Sequence, residues 1–229
     1  MAGSTSEPAL ERTLVVATGN PHKRAEIAAM LEPFHVAVTT ARERGLEEVE
    51  ETGDTFEANA LLKAVAGYRH TGLPCLADDS GLLVDALDGA PGVRSARFAG
   101  EDATDAANNA LLVSKLVDVP VERRGAHFAS NVALVLPREL ADGVPEGPWR
   151  RHALDDDEAV AFTVEGTVPG RIIDAPRGSA GFGYDPHFLY EPAGKTFAEL
   201  ASSEKHAISH RGRAMAMMGD LFTAVFGER

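Results

Sequence analysis

Apolar positions along this chain fall into short continuous runs and helix-spaced stripes, which predicts strands interleaved with helices. Leu14 to Ala17 is a run of the buried-strand kind, followed by Thr18-Gly19-Asn20-Pro21-His22-Lys23, where Asn20 suits a helix N-cap and Pro21 the first helical position. Ile27, Met30 and Leu31 recur at helical spacing, so this helix is expected to reach about Glu32. Phe56 to Tyr68 is a second helical stretch, with Ala58, Leu61, Leu62 and Val65 expected on its core face and Asn59 and Lys63 turned away from it. Pro74 to Ala77 and Leu82 to Leu87 read as two buried strands, with Asp78-Asp79-Ser80-Gly81 as turn chemistry between them. Asp102 or Thr104 can cap a structural helix reaching about Val117, with Ala107, Ala110, Leu111 and Ser114 on one face. Phe128 to Leu136 and Ala159 to Val168 read as strands, and the Gly-, Pro- and charge-rich segment 138–158 between them as a surface excursion. Trp149 within it suits a loop anchor or a partner contact. Thr196 and Glu199 form a capping box, and one last helix opening at Ser209 is expected to bury Met215, Met218, Leu221, Phe222 and Val225.

Length and charge narrow this picture. At 229 residues the chain is long enough for one large α/β domain or two small lobes around a sizeable core. Residues 1–11 show no periodicity and read as a disordered tail, leaving 12–229 as a single unit. A formal net charge of −13 argues against nucleic acid or an anionic membrane as partner, since both require clustered cations. Cys75 is the sole cysteine, which excludes an intrachain disulfide and a thiolate metal cluster, and it reads as a small buried strand residue. The absence of a long apolar stretch or a signal-peptide pattern makes a cytoplasmic location the expectation.

Three stretches carry candidate chemistry. Thr18 to Lys23 would aim backbone N–H groups and a helix dipole at one point with a lysine one turn in, which is an anion cradle or simple helix capping; the Walker pattern is absent. Asp78 and Asp79 must point to opposite sides of a strand, so one can face a ligand while the other holds the turn through nearby backbone N–H groups; a solvated turn is the alternative. Gly178 to Pro186 is a glycine-spaced loop whose Phe182 and Tyr184 could stack on a nucleobase or fold into the core. The run Glu47, Glu48, Glu50, Glu51, Asp54 reads mostly as a solvated face or helix-dipole decoration, with Glu51 singled out as the exception. Only five of the basic residues are lysines, and Lys23, Lys63 and Lys205 all fall in motif-like places.

Together, Thr18 to Lys23, Glu50-Glu51-Thr52-Gly53 with Asn59 and Lys63, Ala77 to Gly81, Gly181 to Pro186 and Ser209-His210-Arg211 stand in the order of one pattern. The chain closely resembles the Ham1-like inosine/xanthosine triphosphate pyrophosphatases from about Leu14 to Phe226, with Gly89-Ala90-Pro91-Gly92 and Gly100-Glu101-Asp102-Ala103-Thr104 also fitting. The resemblance implies an α/β fold with a mixed central sheet, two lobes around a substrate cleft, and a homodimer. It implies Mg²⁺-dependent hydrolysis of non-canonical purine nucleoside triphosphates (ITP, dITP, XTP) to the monophosphate and pyrophosphate. It further implies that Thr18, Gly19, Asn20, Pro21, His22, Lys23 and Lys63 hold the triphosphate, that Glu51 and Asp79 hold the metal, and that Asp79 is the proton acceptor. Ser80 would also meet substrate, and Phe182, Gly183, Tyr184, Asp185, Lys205, His210 and Arg211 would form the base pocket.

Overall fold

The computed structural model describes residues 12–155 and 158–227; the tail expected at 1–11 lies outside them. In chain order the elements are β1 (Thr13–Val16), α1 (Pro21–Leu31), β2 (Ala37–Thr40), α2 (Phe56–Thr71), β3 (Cys75–Val84), α3 (Asp105–Lys115), β4 (Gly125–Pro137), α4 (Arg138–Ala141), β5 (Arg150–Ala153), β6 (Ala159–Ile172), β7 (Phe188–Tyr190), β8 (Lys195–Thr196), α5 (Ser202–Ile208), α6 (His210–Met217) and α7 (Gly219–Phe226). They form one mixed sheet in the order β2-β1-β3-β4-β6-β7-β8, with β5 also pairing β6. The parallel pairs are β1 with β2 and β1 with β3; the others are antiparallel.

The three long strands β3, β4 and β6 run through two separate cores, and that is what makes the two lobes. In the first lobe, strand alternation sends Leu76, Val132, Leu134, Phe162 and Val164 to the face covered by α1, α6 and α7. It sends Cys75, Ala77, Ala133, Val135, Ala159 and Ala161 to the opposite face, under α2. Further along the same strands, Leu82, Val84, Phe128, Val168 and Ile172 enter the second core with Leu112, Phe188 and Phe197. Asp78, Asp79 and Ser80 stand where β3 passes from one core to the other. No helix among the described residues is long and apolar enough to cross a membrane.

Four expectations are corrected. First, Asp78 to Gly81 is no turn: β3 is continuous and pairs with β4 from Cys75–Val135 to Val84–Ala126. Gly81 marks a close approach instead, since a Cβ there would lie 2.3 Å from Ser95 Oγ and 2.7 Å from Gly92 O. Second, the buried face of α2 is Phe56, Asn59, Ala60, Ala64 and Gly67; of the residues expected there, Leu61 and Val65 pack partly buried at its side while Leu62 is exposed. The alanine-lined side of the sheet accepts a helix whose contact stripe is small, and this rotation turns Asn59 and Lys63 inward. Third, α3 buries Asn108 and Leu112 in place of its alanines. Fourth, the last helix is two helices, α6 and α7, meeting at Met218.

The segment 138–158 is not wholly irregular. It contributes α4 and β5, and Trp149 packs partly buried against the first core, as a loop anchor would. Its Arg150 makes a two-pronged contact with Glu57 of α2, at 2.9 and 2.8 Å. Cys75 is fully buried, and burial pushes its thiol up to about 12, so it is not a nucleophile.

Candidate active site

A cleft of about 880 Å³ opens between the lobes, a volume suited to a small organic ligand. One wall comes from the β1–α1 junction. Asn20 caps α1 as its sequence foretells, its Oδ1 accepting from the backbone N–H groups of His22 (2.8 Å) and Lys23 (3.2 Å). Those two donors are therefore spent on capping, so of the cradle and capping readings the capping one is realised at the first turn. Thr18, Gly19, Asn20 and Lys23 line the cleft, whereas Pro21 and His22 do not. His22 instead stacks on Phe182, with ring centroids 5.2 Å apart and planes 11° from parallel.

The floor is β3, and its alternation divides the two aspartates as expected. Asp79 faces α2, where Asn59 Nδ2 donates to its Oδ2 at 3.1 Å and Lys63 Nζ lies 3.3 Å from its Oδ1. The same ammonium lies 2.6 Å from Glu51 Oε1 and donates to the Asp78 carbonyl at 3.0 Å. Arg97, on the opposite wall, reaches Glu51 Oε2 at 3.5 Å. Burial raises the Asp79 pKa above the usual carboxylate value despite Lys63 and Lys23, and the neighbouring Glu51 charge adds to the rise. Burial pushes Glu51 the same way, but Lys63 reverses it and holds Glu51 below its ordinary value. Lys63 itself is held charged, since Asp79 and Glu51 more than offset its desolvation.

Asp78 does not hold a turn. It is completely buried on the other face, 2.9 Å from Lys23 Nζ and 3.1 Å from Arg211 Nη2, and it accepts from Ser80 Oγ at 3.1 Å and from Ser130 Oγ. Arg211 also donates to Ser80 Oγ at 2.9 Å and pairs with Glu26 on α1. It is 1% exposed and absent from the cleft lining, so its terminal nitrogens are spent beneath the floor and not presented to a base.

The far wall carries Phe182, Gly183, Tyr184, Asp185, Lys205 and His210, all lining the cleft. Lys205 Nζ sits 2.6 Å from Asp185 Oδ2, 3.0 Å from Glu26 Oε1 and 4.8 Å above the Phe182 ring. Tyr184 is buried, its hydroxyl donating to the Ser95 carbonyl at 2.8 Å, so of the two aromatics it is Tyr184 that folds inward. His210 stacks on Phe128, and burial, reinforced by Arg211, keeps its pKa well below the usual imidazole value, so the ring is neutral at pH 7.

Sequence reasoning left several contributors unassigned. Asn59 spans the site, its Oδ1 accepting from Gly53 N at 2.8 Å while its amide holds Asp79. Its place one helical turn from Lys63 was the available signal. Glu26, Ser130 and Arg97 gave none, because their partners lie far away in sequence.

Fold and cleft define a two-lobed α/β protein whose cleft sets paired carboxylates and cations at one end against an aromatic, charged wall at the other. The chain belongs to the Ham1 family, which it matches over residues 14–221. A dITP/XTP pyrophosphatase of Yersinia pseudotuberculosis is 47% identical over 207 residues, 90% of this chain and 96% of that protein. Among solved structures, a HAM1 protein from Coxiella burnetii superposes with a TM-score of 0.77 at 36% identity, across 92% of this chain and 98% of that one. The nucleoside-triphosphatase / dITP/XTP pyrophosphatase of Mycobacterium abscessus gives 0.66 at 47% identity, covering 90% and 98%.

Proposed function

We propose that the protein hydrolyses non-canonical purine nucleoside triphosphates (ITP, dITP and XTP) to the nucleoside monophosphate and pyrophosphate. The observation that carries this is the convergence of Glu51 and Asp79 on one cation, the Lys63 ammonium, inside the cleft of a chain so similar to dITP/XTP pyrophosphatases. Two oxygen donors that already share a positive charge suit a hard divalent ion such as Mg²⁺. Glu51 and Asp79 would hold the ion from the protein side, and phosphate oxygens and water would supply its remaining ligands, as Mg²⁺ prefers. When bound, Mg²⁺ supplies neutralisation of the triphosphate charge.

The chain's own residues do the rest. Lys23, Lys63 and Arg97 bring positive charge to the phosphates, and Asp79 accepts the proton of a water attacking the α-phosphorus. The new bond joins the water oxygen to that phosphorus, and the α–β bridging oxygen departs with pyrophosphate. At the other end Phe182 offers a ring face to the base and Lys205 a donor, which pairs with the 6-oxo acceptor of hypoxanthine and xanthine and opposes the 6-amino donor of adenine. Hydrolysis of ITP in ¹⁸O-labelled water tests the route. The label is expected in IMP, and label found in pyrophosphate or release of inorganic phosphate would refute attack at the α-phosphorus.

A further inference from the structure

We infer that Asp105 and Asn109, on the first turns of α3, are positioning residues that set the base-side wall by clamping the Gly183 peptide; this rests on the function proposed above. Gly183 N donates to Asp105 Oδ2 at 2.7 Å, and Asn109 Nδ2 donates to Gly183 O at 2.8 Å. Both polar groups of one residue are thus gripped from a single helix, 74 or more positions away in the chain. Gly183 has φ +61, a conformation that an L side chain resists, and it stands directly between Phe182 and Tyr184. Where this peptide sits decides where the Phe182 ring lies against the cleft.

The clamp is itself braced. Thr104 caps α3 through Ala107 N, and Asn108 ties the helix to the 3₁₀ segment Gly92–Arg97 and the turn after it, donating to Ala96 O at 3.0 Å and accepting from Ala99 N at 2.8 Å. The same segment supplies the Ser95 carbonyl that receives the Tyr184 hydroxyl. Asn109 Oδ1 is buried without a partner among the described residues, so this amide is kept at a cost and its bond to Gly183 O is what the side chain provides. Asp105 reaches the cleft, while Asn109 works from behind it. Neither touches the phosphate end.

Asp105→Ala is expected to raise KM for ITP about tenfold, the loss of one charge-assisted hydrogen bond, with kcat held within about threefold. Inhibition by tripolyphosphate, which occupies only the phosphate end, should not change. Asp105→Asn keeps an oxygen acceptor for Gly183 N and should restore KM to within about twofold of wild type. Asn109→Ala should reproduce the KM defect, and the double alanine variant should fall short of the product of the two, because both act on one residue. An asparagine variant as poor as the alanine one, an unmoved KM in either alanine variant, or a parallel loss of tripolyphosphate inhibition would overturn the clamp. ITP dissociation constants for the same variants read the clamp without turnover, so a wild-type protein that binds ITP but releases no pyrophosphate would overturn the proposed activity and leave the clamp to be judged on binding.

Discussion

Asp79→Asn is expected to lower kcat for ITP by about 10³- to 10⁴-fold at saturating Mg²⁺, with only a small change in melting temperature. The substitution removes the proposed base and one of two proposed metal ligands together. Its effect on the fold should be slight for a specific reason: burial already disfavours the Asp79 charge, so the folded state gains by losing it. Against that gain stands a mismatch, because an amide has one acceptor oxygen where the carboxylate has two, and keeping the bond from Asn59 Nδ2 turns its own NH2 toward the Lys63 ammonium. These opposing changes are each of the order of one hydrogen bond, about 1 kcal/mol. Turnover within tenfold of wild type at saturating Mg²⁺ would remove Asp79 from the chemistry.

Asp78→Asn should do the reverse, costing stability first. Its carboxylate is the shared counter-charge of Lys23 and Arg211, and neutralising it leaves a fully buried guanidinium half-compensated. Breaking a buried pair from one side typically costs about 3–5 kcal/mol, which for a domain of this size lowers the melting temperature by roughly 10 °C. Burial alone would raise the Asp78 pKa, but Arg211, then Lys23 and the Ser130 hydroxyl, hold it well below the usual carboxylate value. A depressed folded-state pKa contributes stability that is complete above the unfolded value, about 3.9, and is lost as pH falls through the folded one. Urea unfolding should therefore give a constant gap between wild type and variant from pH 8 to about pH 5, narrowing in stronger acid. A variant as stable as wild type at pH 7, or a gap that widens in acid, would contradict this assignment.

The contrast between adjacent aspartates shows where sequence carries information and where it stops. Period-two alternation sufficed to place Asp78 and Asp79 on opposite faces, because it is a property of one strand. Asn20 and Pro21 likewise announced the start of α1, since capping is settled within a few residues. What Asp78 does was illegible, because Lys23, Arg211 and Ser130 come to it from three other elements. Ser80-Gly81 resembled a turn for the same reason: the need for Gly81 arises from Ser95 and Gly92, which pack onto it from a distant segment. The face of α2 was only partly legible: Leu61 and Val65 do pack against the core, partly buried, but the closest contact stripe is alanine and glycine, and ranking by hydrophobicity also favoured Leu62, which is exposed. Arg211 carried the motif but not its geometry; it lies under the floor, where Glu26 meets both it and Lys205.

The central claim is that one cleft joins triphosphate hydrolysis to selection of a 6-oxo purine other than guanine. Its most direct test is the steady-state release of pyrophosphate from ITP, dITP, XTP, GTP and ATP, with Mg²⁺ and with the metal chelated. High kcat/KM for ITP, dITP and XTP, values at least about 100-fold lower for GTP and ATP, and loss of all turnover on chelation are the results expected. Comparable turnover of ATP, or undiminished turnover of ITP after chelation, would contradict it.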